Sequence, residues 1–334
     1  MVSSSDSWSR KAARARLHFI SGKGGTGKST VAAALALALA AGGRRVLLAE
    51  LEGRQGIAQL FDIPPLPYAE TRVAAADDGG EVKALAVDIE AAFLEYLDMF
   101  YSLGIAGKAM RRVGAIEFAT TLAPGLRDVL LTGKIKECVI RRDERGQHVY
   151  DAIVVDAPPT GRIGTFLDVT KAMSDLAKSG PIRSQSDGVV KLLHSDDTMI
   201  HLVTLLESLP VQETIDAVKE LREKELRVGS IIVNRTDKEH LPTELLDAAQ
   251  ANELDRESIR AGLGKAGITV TDTELDNLLV EVAEQAARTR AQQESARQLA
   301  EIDIPQLVLP TMTDGVDLGG LYELAQILTE QGVH

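Results

Sequence analysis

The run Gly22-Lys23-Gly24-Gly25-Thr26-Gly27-Lys28-Ser29-Thr30 constrains this chain more than any other stretch. It satisfies G-x-x-x-x-G-K-[ST], the phosphate-binding loop, a motif that works only where a strand feeds it and a helix leaves it. Both flanks are present. Leu17-His18-Phe19-Ile20 reads as a short buried parallel strand. Val31 to Ala40 is an unbroken alanine, leucine and valine run closed by Gly42-Gly43, which reads as a helix with a glycine stop. The glycines let backbone N–H groups turn inward on phosphates, and the helix N-terminus adds partial positive charge. Lys28 is expected to reach the terminal phosphates and the Ser29 hydroxyl to ligate Mg²⁺. The expectation is a nucleoside triphosphate site in an α/β chain.

A second lysine, Lys23, lies inside the loop and gives K-G-G-x-G-K-[ST]. This pattern resembles the dimeric P-loop ATPases with a deviant loop, among them septum-site and partition ATPases, the nitrogenase iron protein, the arsenite-pump ATPase and the ATPase that escorts tail-anchored membrane proteins. The resemblance implies that Lys23 crosses to the nucleotide of a partner subunit.

Composition narrows the classes. The net charge is −12, which argues against a nucleic-acid partner, since phosphate backbones require a basic face. Cys138 is the only cysteine, so no intrachain disulfide and no C-x-x-C zinc site is expected, and a reducing cytoplasm is the simplest setting. His18, His148, His194, His201 and His240 lack metal-ligand spacing and read as structural or exposed. No apolar run approaches a membrane span. Residues 1–15, Ser-rich and then basic, lack the apolar core of a secretory signal and read as a disordered tail before a single domain over 16–334.

Further along, Arg44 to Leu51 reads as the second strand, and Glu52 to Phe61 follows its carboxyl end, where ligands of open α/β sheets sit. The arsenite-pump and escort branch carries D-P-A-H-x-L-S-D-A-F here; by that resemblance Glu52 stands where an Asp positions the attacking water, and Gln55 where the branch has His. Val82 to Asp88 reads as a strand, with helical patterning from Ile89 to Ile140. Tyr150 to Asp156 is a strand ending in a carboxylate, and Asp156 is expected to hold Mg²⁺ through water. The following Pro159-Thr160-Gly161-Arg162 resembles the branch's P-T-G-H switch, with Arg162 replacing His. Strands are also expected over Met199–Thr204, Val228–Asn234 and Gln306–Pro310, with a helix from Glu213.

Asn234-Arg235-Thr236-Asp237 resembles both the guanine-reading N-K-x-D and the adenine-contacting Asn of the escort ATPases; the switch favours ATP. Pro310 and Thr311 open a loop that packs on adenine in that family. The resemblance to the arsenite-pump and tail-anchor-escort family runs from Leu17 to about Leu328. It implies a P-loop fold with a mostly parallel, doubly wound sheet of about seven strands. Helical insertions are expected over about 89–140, 161–197 and 238–302. Its implied function is a Mg²⁺-dependent ATPase that opens and closes as a homodimer, or as a heterodimer with a related ATPase, around an apolar protein client or a membrane-protein partner. That places it in the cytoplasm, at the membrane only through a partner. The alternative is a regulatory switch without a client groove. Met99, Met110, Met173 and, just past the edge, Met199, with Phe93, Phe100, Phe118 and Phe166, are the candidate groove residues, soft side chains that suit varied clients. Arsenite transport is a poor reading, because the family's metalloid site uses several cysteines.

Overall fold

A computed structural model describes residues 8, 10–101, 126–168, 181–237, 242–251, 253–313 and 315–334. Its centre is an eight-stranded sheet. In chain order the strands are β1 (Leu17–Gly22), β2 (Arg45–Glu50), β3 (Thr71–Ala75), β4 (Glu81–Ala86), β5 (Ala152–Asp156), β6 (Thr198–Thr204), β7 (Val228–Thr236) and β8 (Gln306–Pro310). Across the sheet they run β3-β4-β2-β5-β1-β6-β7-β8, all parallel except β3, which pairs antiparallel to β4. The extra strand relative to expectation is β3. Only Ala74 of its five residues is buried, so this edge strand carries no apolar run to announce it.

The inner strands are buried on both faces, which is why they read as continuous apolar runs. Phe19, Leu47 and Val155 face one core layer, and Ile20, Leu48 and Val154 face the other. Twelve helices are described: α1 (Arg10–Arg14), α2 (Lys28–Ala40), α3 (Gly56–Leu60), α4 (Ile89–Tyr101), α5 (Leu126–Ile140), α6 (Thr160–Leu167), α7 (Pro181–Leu193), α8 (Ser208–Glu223), α9 (Thr243–Gln250), α10 (Arg256–Lys265), α11 (Asp272–Ala300) and α12 (Leu318–Glu330). Helix α2 is buried from Val31 through Ala40, as a helix apolar on every side must be, between the sheet and α12. On the opposite face, α5, α6 and α8 supply Val129, Ile163, Phe166 and Val218 to the second core.

One helix boundary departs from the sequence reading. Helix α8 begins at Ser208 rather than Glu213, because Pro210 sits in the first turn, where its missing N–H costs nothing. Helix α11 opens on a capping box: Thr271 Oγ1 accepts from the Glu274 amide while the Glu274 carboxylate accepts from the Thr271 amide. Of the expected groove residues, Phe166 and Met199 are buried in the two core layers instead, and Met110, Phe118 and Met173, together with His240, lie outside the described residues.

The N-terminal tail reading does not hold at Trp8 and from Arg10 onward. Helix α1 buries Ala12, and Trp8 stacks on His18 and His201 at ring separations of 5.8 and 5.0 Å. Stacking of a lone tryptophan on strand histidines is invisible to local patterning. The pair is fully buried, and its hydrogen bonds allow one consistent proton arrangement. His18 Nε2–H donates to the Ala15 carbonyl at 3.1 Å, so His18 Nδ1 accepts from His201 Nε2–H at 3.1 Å, and His201 Nδ1 accepts from the Ser230 hydroxyl at 2.7 Å. Burial pushes His18 down to about 4, opposed by its bond to the Ala15 carbonyl and helped by the Arg44 charge, and pushes His201 well below the usual range, with His18 adding to that fall.

The sign of the pH effect follows. Both histidines are neutral in the fold, while the unfolded chain protonates them below about pH 6.5, so this part of the stability is complete above that pH. It is lost as pH falls toward 4, at up to about 1.4 kcal/mol per pH unit for each histidine. Denaturant midpoints of the wild type and His18→Gln between pH 7 and 4 should diverge at neutral pH and converge in acid. Parallel curves would remove the pair as an acid-sensitive element.

Candidate nucleotide site

The carboxyl ends of β1, β2, β5 and β7 deliver Gly22, Glu50, Asp156 and Asn234 to one edge of the sheet. That edge is where open α/β sheets bind ligands. Strand β1 lies between β5 and β6, so the connections diverge beside it and leave a crevice.

The loop between β1 and α2 is shaped by close approach. A side chain at Gly22 would sit 2.3 Å from the Val203 carbonyl, and one at Gly27 would sit 2.4 Å from Asn234 Nδ2. Gly25 and Gly27 also hold φ near +88 and +89, the region glycine occupies without strain. The Thr26 hydroxyl donates to the Lys23 carbonyl at 2.9 Å, tying the loop to itself. Helix α2 has Gly27 at its cap position with no side-chain cap, which leaves its first-turn amides for a ligand.

Inside the crevice, the Ser29 hydroxyl donates to Asp156 Oδ2 at 2.6 Å. Asp156 is buried, and its carboxyl is raised by that burial; the Ser29 bond and Lys28 pull it down, while Glu52 pushes it up. Lys28 is lowered by burial and lifted by Asp156 and Glu52. Ser29, Lys28 and Asp156 therefore form one cluster, as the motif implies.

The residues present suit a hydrated Mg²⁺. A hydroxyl and a carboxylate converge, and no cluster of three or more His, Cys, Asp or Glu that could cage a metal exists among the described residues. Magnesium bound through one hydroxyl, waters and phosphates needs no such cage. Ser29 would hold the ion directly and Asp156 through water; when bound, the ion neutralises charge on the phosphates.

Sequence reasoning missed Glu50. It is 2 % exposed, and in the β2–β5 register it sits directly beside Asp156. Its Oε1 accepts from the Gly56 amide at 2.9 Å, and its Oε2 has no hydrogen-bond partner among the described residues. Burial raises its carboxyl, the Gly56 amide and more weakly that of Arg54 lower it, and Asp156 adds to the rise. The available signal was the E-x-E spacing with Glu52 at a strand end.

Glu52 stands two residues further, at the crevice mouth, with its carboxylate 3.3 Å from the exposed Arg54 guanidinium. Gln55 is not free for water. Its amide donates to the Leu66 carbonyl at 3.2 Å and accepts from the Leu66 amide at 2.7 Å, so it clamps the loop in a left-handed conformation.

Lys23 turns away from the cradle. Its Nζ pairs at 3.0 Å with Glu213 of α8, whose other carboxylate oxygen lies 3.5 Å from the Thr160 hydroxyl. The expected switch is thus linked to the loop lysine through Glu213, a partner that no local pattern marks. Pro159 caps α6, Gly161 and Arg162 are exposed, and the Arg162 charge acts on Asp128 of α5.

At the base end, Asn234 Nδ2 donates to the Thr26 carbonyl at 2.8 Å and so braces the loop from β7. A cavity of about 330 Å³ opens beside it, lined by Thr30, Asn234, Pro310, Thr311, Met312 and Leu324. Its apolar wall suits a planar base. The Asp237 carboxylate, which a guanine reader would use, accepts from the Thr311 hydroxyl at 2.9 Å.

The family model described as Anion-transporting ATPase matches residues 15–194. The chain is 64% identical over 330 residues to the ATPase BagA of Mycobacterium tuberculosis, covering 99% of this chain and 97% of that one. It is 27% identical over 270 residues to a protein of Aquifex aeolicus named for driving an arsenical pump, covering 71% of this chain and 86% of the other. With the ATPase GET3 of Lachancea thermotolerans it shares 24% identity over 251 residues, 65% of this chain and 71% of that protein.

Proposed function

This chain belongs to the anion-transporting ATPase family and hydrolyses ATP, and from that premise we propose that two ATPase subunits close on each other around bound Mg²⁺–ATP and reopen after hydrolysis. The observation that carries the reading is the position of Lys23. A cation inside a phosphate loop, yet ion-paired 3.0 Å from Glu213 and outside its own cradle, is placed to serve phosphates presented from elsewhere. Both subunits contribute Lys28 and Ser29 to their own nucleotide, and Lys23 reaches across to its neighbour's. The partner is a second copy or a related ATPase chain.

The test is complementation. Lys23→Ala should bind ATP and hydrolyse it slowly, and mixing it with Lys28→Ala should restore part of the turnover in hybrid dimers. Hybrids without recovery, or a monomer at every concentration with Mg²⁺–ATP, would refute action in trans.

What the cycle moves is an apolar protein segment or a membrane-linked client. No helix among the described residues is long and apolar enough to cross a membrane. A second reading, a regulatory switch without a groove, is favoured by one observation. Among the described residues, the exposed apolar side chains Ile140, Leu209, Leu245 and Val280 sit on four different helices. Metalloid capture through thiols is disfavoured: Cys138 is fully buried, and burial pushes its thiol up to about 12, far from the thiolate such binding needs.

A further inference from the structure

Glu50 has no task in the reading above, and its setting is costly. A carboxylate 2 % exposed, beside a second buried carboxylate, normally has both oxygens satisfied. Here one oxygen is held and the other makes no hydrogen bond among the described residues. The held oxygen grips Gly56, the first residue of α3 and the end of the loop that carries Glu52 and Gln55. The Gly56 α-carbon also lies against the metal side: a Cβ built there would be 3.7 Å from both Glu50 Oε1 and Ser29 Oγ.

We propose that Glu50 is a positioning residue for Mg²⁺–ATP, its free oxygen serving the hydrated ion beside Asp156 while its other oxygen fixes the start of α3. The inference rests on the Mg²⁺–ATP reading of this site. It assigns the orphaned oxygen a cationic partner and explains why two acids are buried side by side in the register of β2 and β5. It also ties arrival of the ion to the loop bearing Glu52, since one carboxylate touches both. A purely structural Glu50 would need only the oxygen that accepts from Gly56, and glutamine would supply that equally well.

Glu50→Gln is therefore the discriminating change, with Glu50→Asp as a second variant that keeps the charge and shortens the reach. The readout is binding of a fluorescent ATP analogue with Mg²⁺ and with EDTA. In Glu50→Gln the Mg²⁺ requirement for half-maximal binding should rise about 10–100-fold, the range for losing an outer-sphere partner. Binding in EDTA should be unchanged or tighter, because a negative charge near the phosphates has gone. Trypsin cleavage after Arg54, exposed in the same loop, supplies the coupling readout: Mg²⁺–ADP should slow it in the wild type and not in Glu50→Gln. A wild-type Mg²⁺ requirement in Glu50→Gln, with protection at Arg54 intact, would overturn the role of Glu50 alone. A wild type that binds the analogue without any Mg²⁺ dependence would overturn the Mg²⁺–ATP reading and the inference with it.

Discussion

Lys28→Ala should lower ATP turnover by at least about 10²–10³-fold, the cost of removing one preorganised charge aimed at developing negative charge. The structure gives reason to expect the upper part of that range. Lys28 is the half-buried cation beside Asp156 and Glu52, so its loss removes the attraction for phosphates and leaves the acids to repel them. Affinity for ATP should fall along with the rate. Phosphate release and nucleotide binding measured side by side check this, and a variant turning over at the wild-type rate would move the catalytic site away from this loop.

Glu52→Gln should behave differently, slowing hydrolysis by about 10²-fold or more while leaving ATP affinity near wild type, as expected for a group that acts on water rather than on bound phosphates. The structure makes this a sharper test than the sequence did. Gln55, the uncharged polar side chain of the loop, has both ends of its amide committed to Leu66, while the Glu52 carboxylate is ion-paired with the exposed Arg54. Unchanged turnover would exclude Glu52 as the water-positioning group. A slow variant also holds the ATP-bound state long enough to probe it. Binding of an environment-sensitive apolar dye that rises or falls with Mg²⁺–ATP in Glu52→Gln would support a client groove. A dye signal absent in every state would favour the regulatory switch.

What the sequence disclosed and what it hid divide along physical lines. Interior parallel strands are buried on both faces, so β1, β5 and β6 stand out as apolar runs, and the phosphate loop announces Lys28, Ser29 and Asp156 by type and spacing. Strand β3 hid because an edge strand with one buried residue has no periodicity to detect. Glu50 hid because a strand-end carboxylate reads the same whether it faces water or a crevice; only burial and the missing partner distinguish it. The ion pair of Lys23 with Glu213 spans nearly two hundred residues and depends on how α8 lies beside the loop, which no local pattern encodes. Asn234 was noticed for a base, yet its amide braces Thr26, a contact set by the β1–β6–β7 order.

Trp8 is the only tryptophan in the chain, and it is stacked on two histidines at the foot of β1 and β6. The chain thus carries an optical label of its own. Its indole emits from a single, almost dry environment, and the neighbouring imidazoles become quenchers once they take up protons. Light from this one ring reports whether the N-terminal helix is seated beneath the strand that ends in the phosphate loop. Release of that helix, unlike unfolding of the sheet, would change emission while far-ultraviolet ellipticity stays nearly constant. Events at the far end of β1 can be followed this way without attaching a dye.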